Sequence, residues 1–177
     1  MNIDEKKITS YHYICAVVLR ELRVQRNLHQ AQVADFLTKS PAVWQDIETG
    51  TKKIDFDTLL RVCRGLAVEP GLILQIVDAY ERYLRAFGWS VVVSDVTGSD
   101  ALRKEAHDYW KSPGCEAAQR MPTMSKPWIL NIPEPVNPGW RFVSPVFLFA
   151  VDESYRAFQL DKERHNFVGP PNPFFRL

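Results

Sequence analysis

Leu28-His29-Gln30-Ala31-Gln32-Val33-Ala34-Asp35-Phe36-Leu37, the joint Thr38-Lys39, and Ser40-Pro41-Ala42-Val43-Trp44-Gln45-Asp46-Ile47-Glu48-Thr49-Gly50 decide the fold. Val33, Ala34 and Leu37 mark the inner face of one helix, from about Gln30 to Leu37. Trp44 and Ile47 mark the inner face of the next, from Pro41 to about Glu48. Ser40 is a good N-cap, and Pro41 suits the first helical position, where its missing N–H costs nothing. Gly50 is the stop. Two short helices this close together, each apolar on one face only, cannot form a core alone and need further helices to pack on.

Those further helices stand on either side. From about Ser10 to Arg26, Ile14, Val18, Leu19 and Leu22 recur at helical spacing with Arg20, Arg23 and Arg26 between them. Asn27 ends that helix, because Asn tolerates the left-handed geometry of many helix stops. Downstream, Asp55 or Asp57 caps a fourth helix carrying Leu59, Leu60, Cys63 and Leu66. Glu69-Pro70-Gly71 opens a fifth, amphipathic segment from Leu72 to about Phe87. Residues 1–10 are polar and read as a frayed arm or lead-in. Gly88 is the expected boundary between a unit at 1–88 and a second at 89–177.

The second unit is less legible. Trp89–Ser94 reads as a strand, Thr97–Asp100 as a turn, and Asp100 to about Lys111 as a short helix. Residues 112–140 hold six prolines (Pro113, Pro122, Pro127, Pro133, Pro135 and Pro138), which predicts extended or looped chain. Arg141–Val151 and Tyr155–Leu160 read as a hairpin around Asp152-Glu153-Ser154. The tail Gly169–Leu177 reads as extended. Trp89, Trp110, Trp128, Trp140, Phe142, Phe147, Phe149, Tyr155, Phe158 and Phe167 make this half aromatic-rich. The favoured account is a small β-rich core, the sharper one a ligand or partner pocket.

Bulk properties exclude several classes. Among 177 residues the formal net charge is +1, with 46% apolar and 24% charged residues, ordinary for a globular protein. Lys and Arg number 12 against 11 Asp and Glu up to Gly88, and 10 against 10 after it. Any affinity for a polyanion must therefore come from a local patch. Cys15, Cys63 and Cys115 are odd in number and lack CxxC spacing, which predicts reduced thiols in a cytoplasmic protein, with Cys15 and Cys63 in the helical core. The apolar run Tyr13–Leu19 is too short for a membrane span, and Arg20 follows it where a signal peptide would have a cleavage site. His12, His29, His107 and His165 are scattered, and no phosphate-binding glycine loop is present. No catalytic set, metal site or cofactor is expected. Ser125-Lys126 is too close in sequence to act as a self-cleaving dyad.

Leu19-Arg-Glu-Leu-Arg23, Leu28-His-Gln30, Val33-Ala34, Ile47-Glu48-Thr-Gly50 and Leu66-Ala-Val68, in this order, resemble the phage-repressor or XRE family of helix-turn-helix regulators over residues 10–80. The resemblance does not reach the second half; it implies an N-terminal five-helix, lambda-repressor-like domain, which with the small β-containing, Pro- and aromatic-rich C-terminal domain read from the residues makes the expected fold class α+β. The resemblance implies a transcriptional regulator of the repressor kind, whose third helix enters the major groove of double-stranded DNA. Ala42, Gln45 and Asp46 match the family's base-reading face, with Ser40 and Pro41 at its leading edge and Thr49 at its end. Gln45 suits adenine and Ala42 a thymine methyl. Gln30, its amide turned outward at the start of the second helix, suits a phosphate oxygen. Lys39, Lys52 and Lys53 flank the groove. Arg23 and Glu48 are expected to form a structural ion pair. Asp46 departs from the basic or neutral residue of many relatives. A carboxylate there is unfavourable beside phosphates unless it accepts from cytosine N4 or pairs with a cation.

One short recognition helix buries little surface, so a homodimer on a two-fold operator is expected, with the Leu72–Phe87 segment and the aromatic half as candidate dimer-forming parts. The competing reading is an antitoxin-type protein whose residues 89–177 neutralise a protein partner.

Overall fold

The computed structural model describes residues 7–94, 96, 99–120, 129–131 and 143–165. Strand β1 (Ile8–Ser10) runs directly into helix α1 (Tyr11–Gln25), and Ser10 caps that helix by accepting from the Tyr13 amide. Ile8, Thr9 and Ser10 pair in parallel with Ser90, Val91 and Val92 of strand β2 (Ser90–Val92). Ile8–Ser10 are therefore not a frayed arm but a paired strand leading into α1, and residues 1–6 lie outside the described residues. Between the strands lie α2 (Gln30–Phe36), α3 (Pro41–Glu48), α4 (Phe56–Gly65) and α5 (Pro70–Ala86). After β2 come α6 (Ala101–Trp110), α7 (Pro113–Gln119), α8 (Pro145–Val151), α9 (Glu153–Leu160) and α10 (Lys162–His165).

Four of the first five helices end alike. The residue at φ +54 (Asn27), +52 (Thr38), +47 (Ala67) or +81 (Gly88) turns left-handed. The next amide then bonds back five residues: Leu28 to Arg23, Lys39 to Ala34, Val68 to Cys63, and Trp89 to Leu84. This arrangement satisfies carbonyls that a helix end leaves orphaned. Helix α3 is the exception. Gly50 takes φ +70, but the Asp46 carbonyl is reached from Lys52, one residue further on.

Helix α1 is the central strut. Tyr13 to Leu19 are all buried, because α1 packs on α3, α5 and α6. The apolar face of α5 (Ile73, Ile76, Val77, Tyr80, Leu84) is buried in the same cluster, which also takes in Leu102, Ala106, Phe147 and Phe149 from beyond Gly88. That face is thus covered by the chain itself. Cys15, Cys63 and Cys115 are buried free thiols. Burial pushes the Cys15 thiol up to about 12 and that of Cys63 to about 11, so neither ionises readily at neutral pH.

Beyond β2 several sequence expectations need correction. The described part is helical rather than β-rich, and β2 finds its partner in β1. Arg141–Val151 and Tyr155–Leu160 do not form a hairpin: 143–165 hold α8, α9 and α10. The apolar run of α8 lacks period because Val146 to Ala150 are all buried, and a short run of this kind is the same in a strand or a core helix. Asp152, read as a hairpin turn, is the N-cap of α9 and accepts from the Tyr155 amide at 2.9 Å. Pro113 likewise opens α7 behind the Ser112 cap instead of breaking a helix. The aromatics serve this helical core: Phe147 stacks on Tyr80 of α5 with ring centroids 3.8 Å apart, and Tyr109 meets Phe149 at 5.6 Å. The remaining prolines of 112–140, Ser125-Lys126, Trp128, Trp140, Phe142, Phe167 and the tail Gly169–Leu177 lie outside the described residues.

Polar links tie α6 to α1. The Asp100 carboxylate, which caps α6, accepts from the Ser10 amide at 2.9 Å and the Thr9 hydroxyl at 3.0 Å. Glu21 accepts from the Trp110 indole at 2.9 Å and from Arg20, whose guanidinium lies 3.5 Å over the Trp110 ring. Burial raises the Glu21 carboxyl above the usual range, against the pull of Arg20 and Trp110. The folded chain therefore holds that proton more tightly than the unfolded one. Its stabilising contribution is complete below the ordinary carboxylate pKa of about 4.3 and is lost as pH rises through the raised value. Glu21→Gln should flatten the fall in melting temperature over that window. Parallel pH profiles for the two proteins would refute this.

Candidate nucleic-acid interface

Helices α2 and α3 stand together on α1 and α4. Val33 and Ala34 of α2 are fully buried, as are Trp44 and Ile47 of α3 to within 2%. Ala34 has no side chain beyond Cβ to hold the two helices apart, so the joint of Leu37 to Ser40 suffices. Ser40 precedes α3 with extended backbone, and Pro41 fills its first turn.

Behind α3 sits a buried polar hub. Glu48 is 1% exposed and accepts four hydrogen bonds: Arg23 Nε at 2.5 Å, Arg23 Nη2 at 3.1 Å, Trp44 Nε1 at 2.7 Å and Gln30 Nε2 at 2.7 Å. Arg23 also donates to the Leu28 carbonyl at 2.7 Å. The ion pair is therefore a two-pronged clamp from α1 to the last turn of α3, with every lone-pair direction of the carboxylate used. Sequence reading missed two of these donors. Trp44 and Glu48 stand four apart on one helix, a spacing that could have signalled the indole contact. Gln30, expected to turn its amide outward, spends one amide N–H inward on Glu48.

The other singled-out residues lie on the outer surface. Lys39, Ser40, Pro41, Ala42, Gln45, Asp46, Thr49, Lys52 and Lys53 are all exposed. Pro41, Ala42, Gln45 and Asp46 form the solvent face of α3, opposite Trp44 and Ile47. Thr49 is partly committed: its hydroxyl donates to the Gln45 carbonyl at 3.0 Å and meets the Thr51 hydroxyl at 3.1 Å. Lys39 precedes the face, and Lys52 and Lys53 follow it. Lys39 and Lys52 both lie near Asp55, the cap of α4. Its carboxyl is held below the usual range, first by the Thr58 amide and to a lesser degree by these lysines. Among the described residues no group of His, Cys, Asp and Glu is arranged to hold a metal ion. No helix among them is long and apolar enough to cross a membrane.

A buried-backed pair of helices with a solvent-facing second member is a helix-turn-helix unit. A family model described as a helix-turn-helix domain matches residues 16–76, from within α1 to within α5. Residues 16–76 are thus a helix-turn-helix domain, consistent with the XRE-like resemblance, and a domain of this kind suggests a DNA-binding regulator. No curated protein and no solved structure matches the chain.

Proposed function

We propose that the chain is a cytoplasmic, sequence-specific transcriptional regulator, an autoregulating repressor that binds a palindromic operator as a homodimer. The observation that carries this reading is the two-sided build of α3. Its inner face is locked by Trp44, Ile47 and the Glu48 hub, while Ala42, Gln45 and Asp46 are left to solvent. In this reading Gln45 pairs with adenine, Ala42 meets a thymine methyl, and Asp46 accepts from cytosine. Lys39, Lys52 and Lys53, with the remaining N–H of Gln30 and the hydroxyls of Ser40 and Thr49, meet the backbone. Two copies present their α3 helices about 34 Å apart. With the apolar face of α5 already buried, the side chains left for a second copy on this domain are Phe56, Leu60 and Leu74. Residues 89–177 act as the part that responds to a ligand or a protein partner.

The test is fluorescence anisotropy on DNA from upstream of the chain's own gene, against scrambled DNA, across a salt series. The native DNA should bind tightly and with a steep salt slope. Gln45→Ala should leave stability within about 0.5 kcal/mol, as for exposed sites generally, and reduce discrimination between operator variants. The double change Lys52→Ala, Lys53→Ala should weaken binding to all DNA and flatten the slope by roughly 0.9 for each phosphate that is no longer neutralised. Equal affinity for native and scrambled DNA would defeat the proposal and shift weight to the antitoxin-type reading.

A further inference from the structure

The end of α3 is finished by a side chain from outside the helix-turn-helix domain. Arg103, in the first turn of α6, donates from Nε to the Thr49 carbonyl at 2.6 Å and from Nη2 to the Thr51 hydroxyl at 3.3 Å. Its guanidinium lies 5.9 Å from the Tyr13 ring centre. A cation at the carbonyl end of a helix meets the negative pole of its dipole. The turn after α3 is also one residue wider than those after α1, α2, α4 and α5: Lys52 reaches back to the Asp46 carbonyl, and the carbonyl of the C-cap Thr49 accepts from Arg103. The other end of the device is fixed. Asp100 caps α6 through the Arg103 amide and, by its second oxygen, grips Thr9 and Ser10 at the start of α1. Arg103 is therefore presented by a helix anchored on the central strut, and it holds the turn carrying Lys52 and Lys53.

We infer that Arg103 is a positioning residue for DNA binding: it fixes the last turn of the recognition helix and the lysine turn after it, so the second half of the chain sets DNA affinity through this side chain. The inference rests on the DNA-binding reading above. It requires the fork of the guanidinium, since two acceptors on different residues are bridged at once. A lysine at this position supplies the charge but not the fork.

The experiment measures operator affinity of the full chain by anisotropy for wild type, Arg103→Ala, Arg103→Lys and, as a neighbouring control, Lys104→Ala. Arg103 is exposed, so these variants should fold. Arg103→Ala and Arg103→Lys should each lose about tenfold in affinity, a usual size for coupling between sites, with Lys104→Ala unchanged. In a chain already carrying Lys52→Ala the Arg103→Ala penalty should shrink, and amide exchange at Thr51 to Lys53 should quicken in both Arg103 variants without DNA. Wild-type affinity in Arg103→Ala overturns the inference. So does an affinity restored by Arg103→Lys with penalties that add to Lys52→Ala, the pattern of a direct phosphate contact. A wild type that binds no DNA defeats the DNA-binding reading itself, and this inference with it.

Discussion

Glu48→Ala should destabilise the protein by about 3–5 kcal/mol, the usual cost of removing one partner from a buried ion pair. In a chain of this size that lowers the melting temperature by on the order of 10 °C. The size of the effect follows from what is left behind. Arg23 keeps its charge in a site where it is 9% exposed, with only the Leu28 carbonyl to receive it, and the Trp44 and Gln30 N–H groups lose their acceptor. Glu48→Gln preserves the volume, yet it leaves the guanidinium uncompensated and turns one acceptor into a donor, so it should lose most of the same stability. Urea unfolding followed by circular dichroism measures the loss. The proposed DNA binding should fail in step with folding and return on cooling, because Glu48 lies on the inner side of α3, away from Ala42, Gln45 and Asp46. A destabilisation below about 1 kcal/mol, the level of a surface pair, would mean that the hub is not the clamp described.

Gly50→Ala should cost about 2–5 kcal/mol, from two independent sources. Its φ of +70 lies in the left-handed region, where a Cβ costs about 1–2 kcal/mol. The same Cβ would run into the edge of the Tyr13 ring, lying 2.7 Å from Cε2, and overpacking of a core typically costs about 1–3 kcal/mol. Tyr13 is 2% exposed and cannot swing aside into solvent. Relief must come from the turn, which would carry Thr51, Lys52 and Lys53 with it. The variant should therefore lose operator affinity even at temperatures where it is fully folded, in contrast to Glu48→Ala. Thermal unfolding together with anisotropy well below the transition would separate the two effects. A Gly50→Ala protein with wild-type stability would contradict the close approach of Tyr13.

The first five helices were readable because each carried two agreeing signals. Ser40-Pro41 starts a helix where Trp44 and Ile47 give it a face; Asn27 and Gly50 stop helices where periodicity lapses. The outer face of α3 followed from its inner one, since residues three and four apart must share a side. The second half failed where only one signal was present. Val146-Phe-Leu-Phe-Ala150 has no polar side to show a period, because every side of that helix is buried. The start signals Ser144-Pro145, Asp152 and Ser112-Pro113 are in the sequence, but the first lies inside the expected strand Arg141–Val151, the second in its expected turn and the third in the proline-rich stretch. Arg103 was invisible for another reason: nothing local links an arginine on α6 to a carbonyl 54 residues earlier.

The grip of Asp100 on Ser10 bears on the order in which the chain can be finished. Ser10 and Asp100 are 90 residues apart, and β1 must likewise wait for Val91 and Val92. During synthesis α1 emerges first and can pair with α2 to α5 as they follow. Its own starting turn stays unanchored until α6 has left the ribosome, since loop closure over such a distance must precede any gain from the contact. Helix α1, made before the other described helices, is in this sense secured only after α6 has followed it.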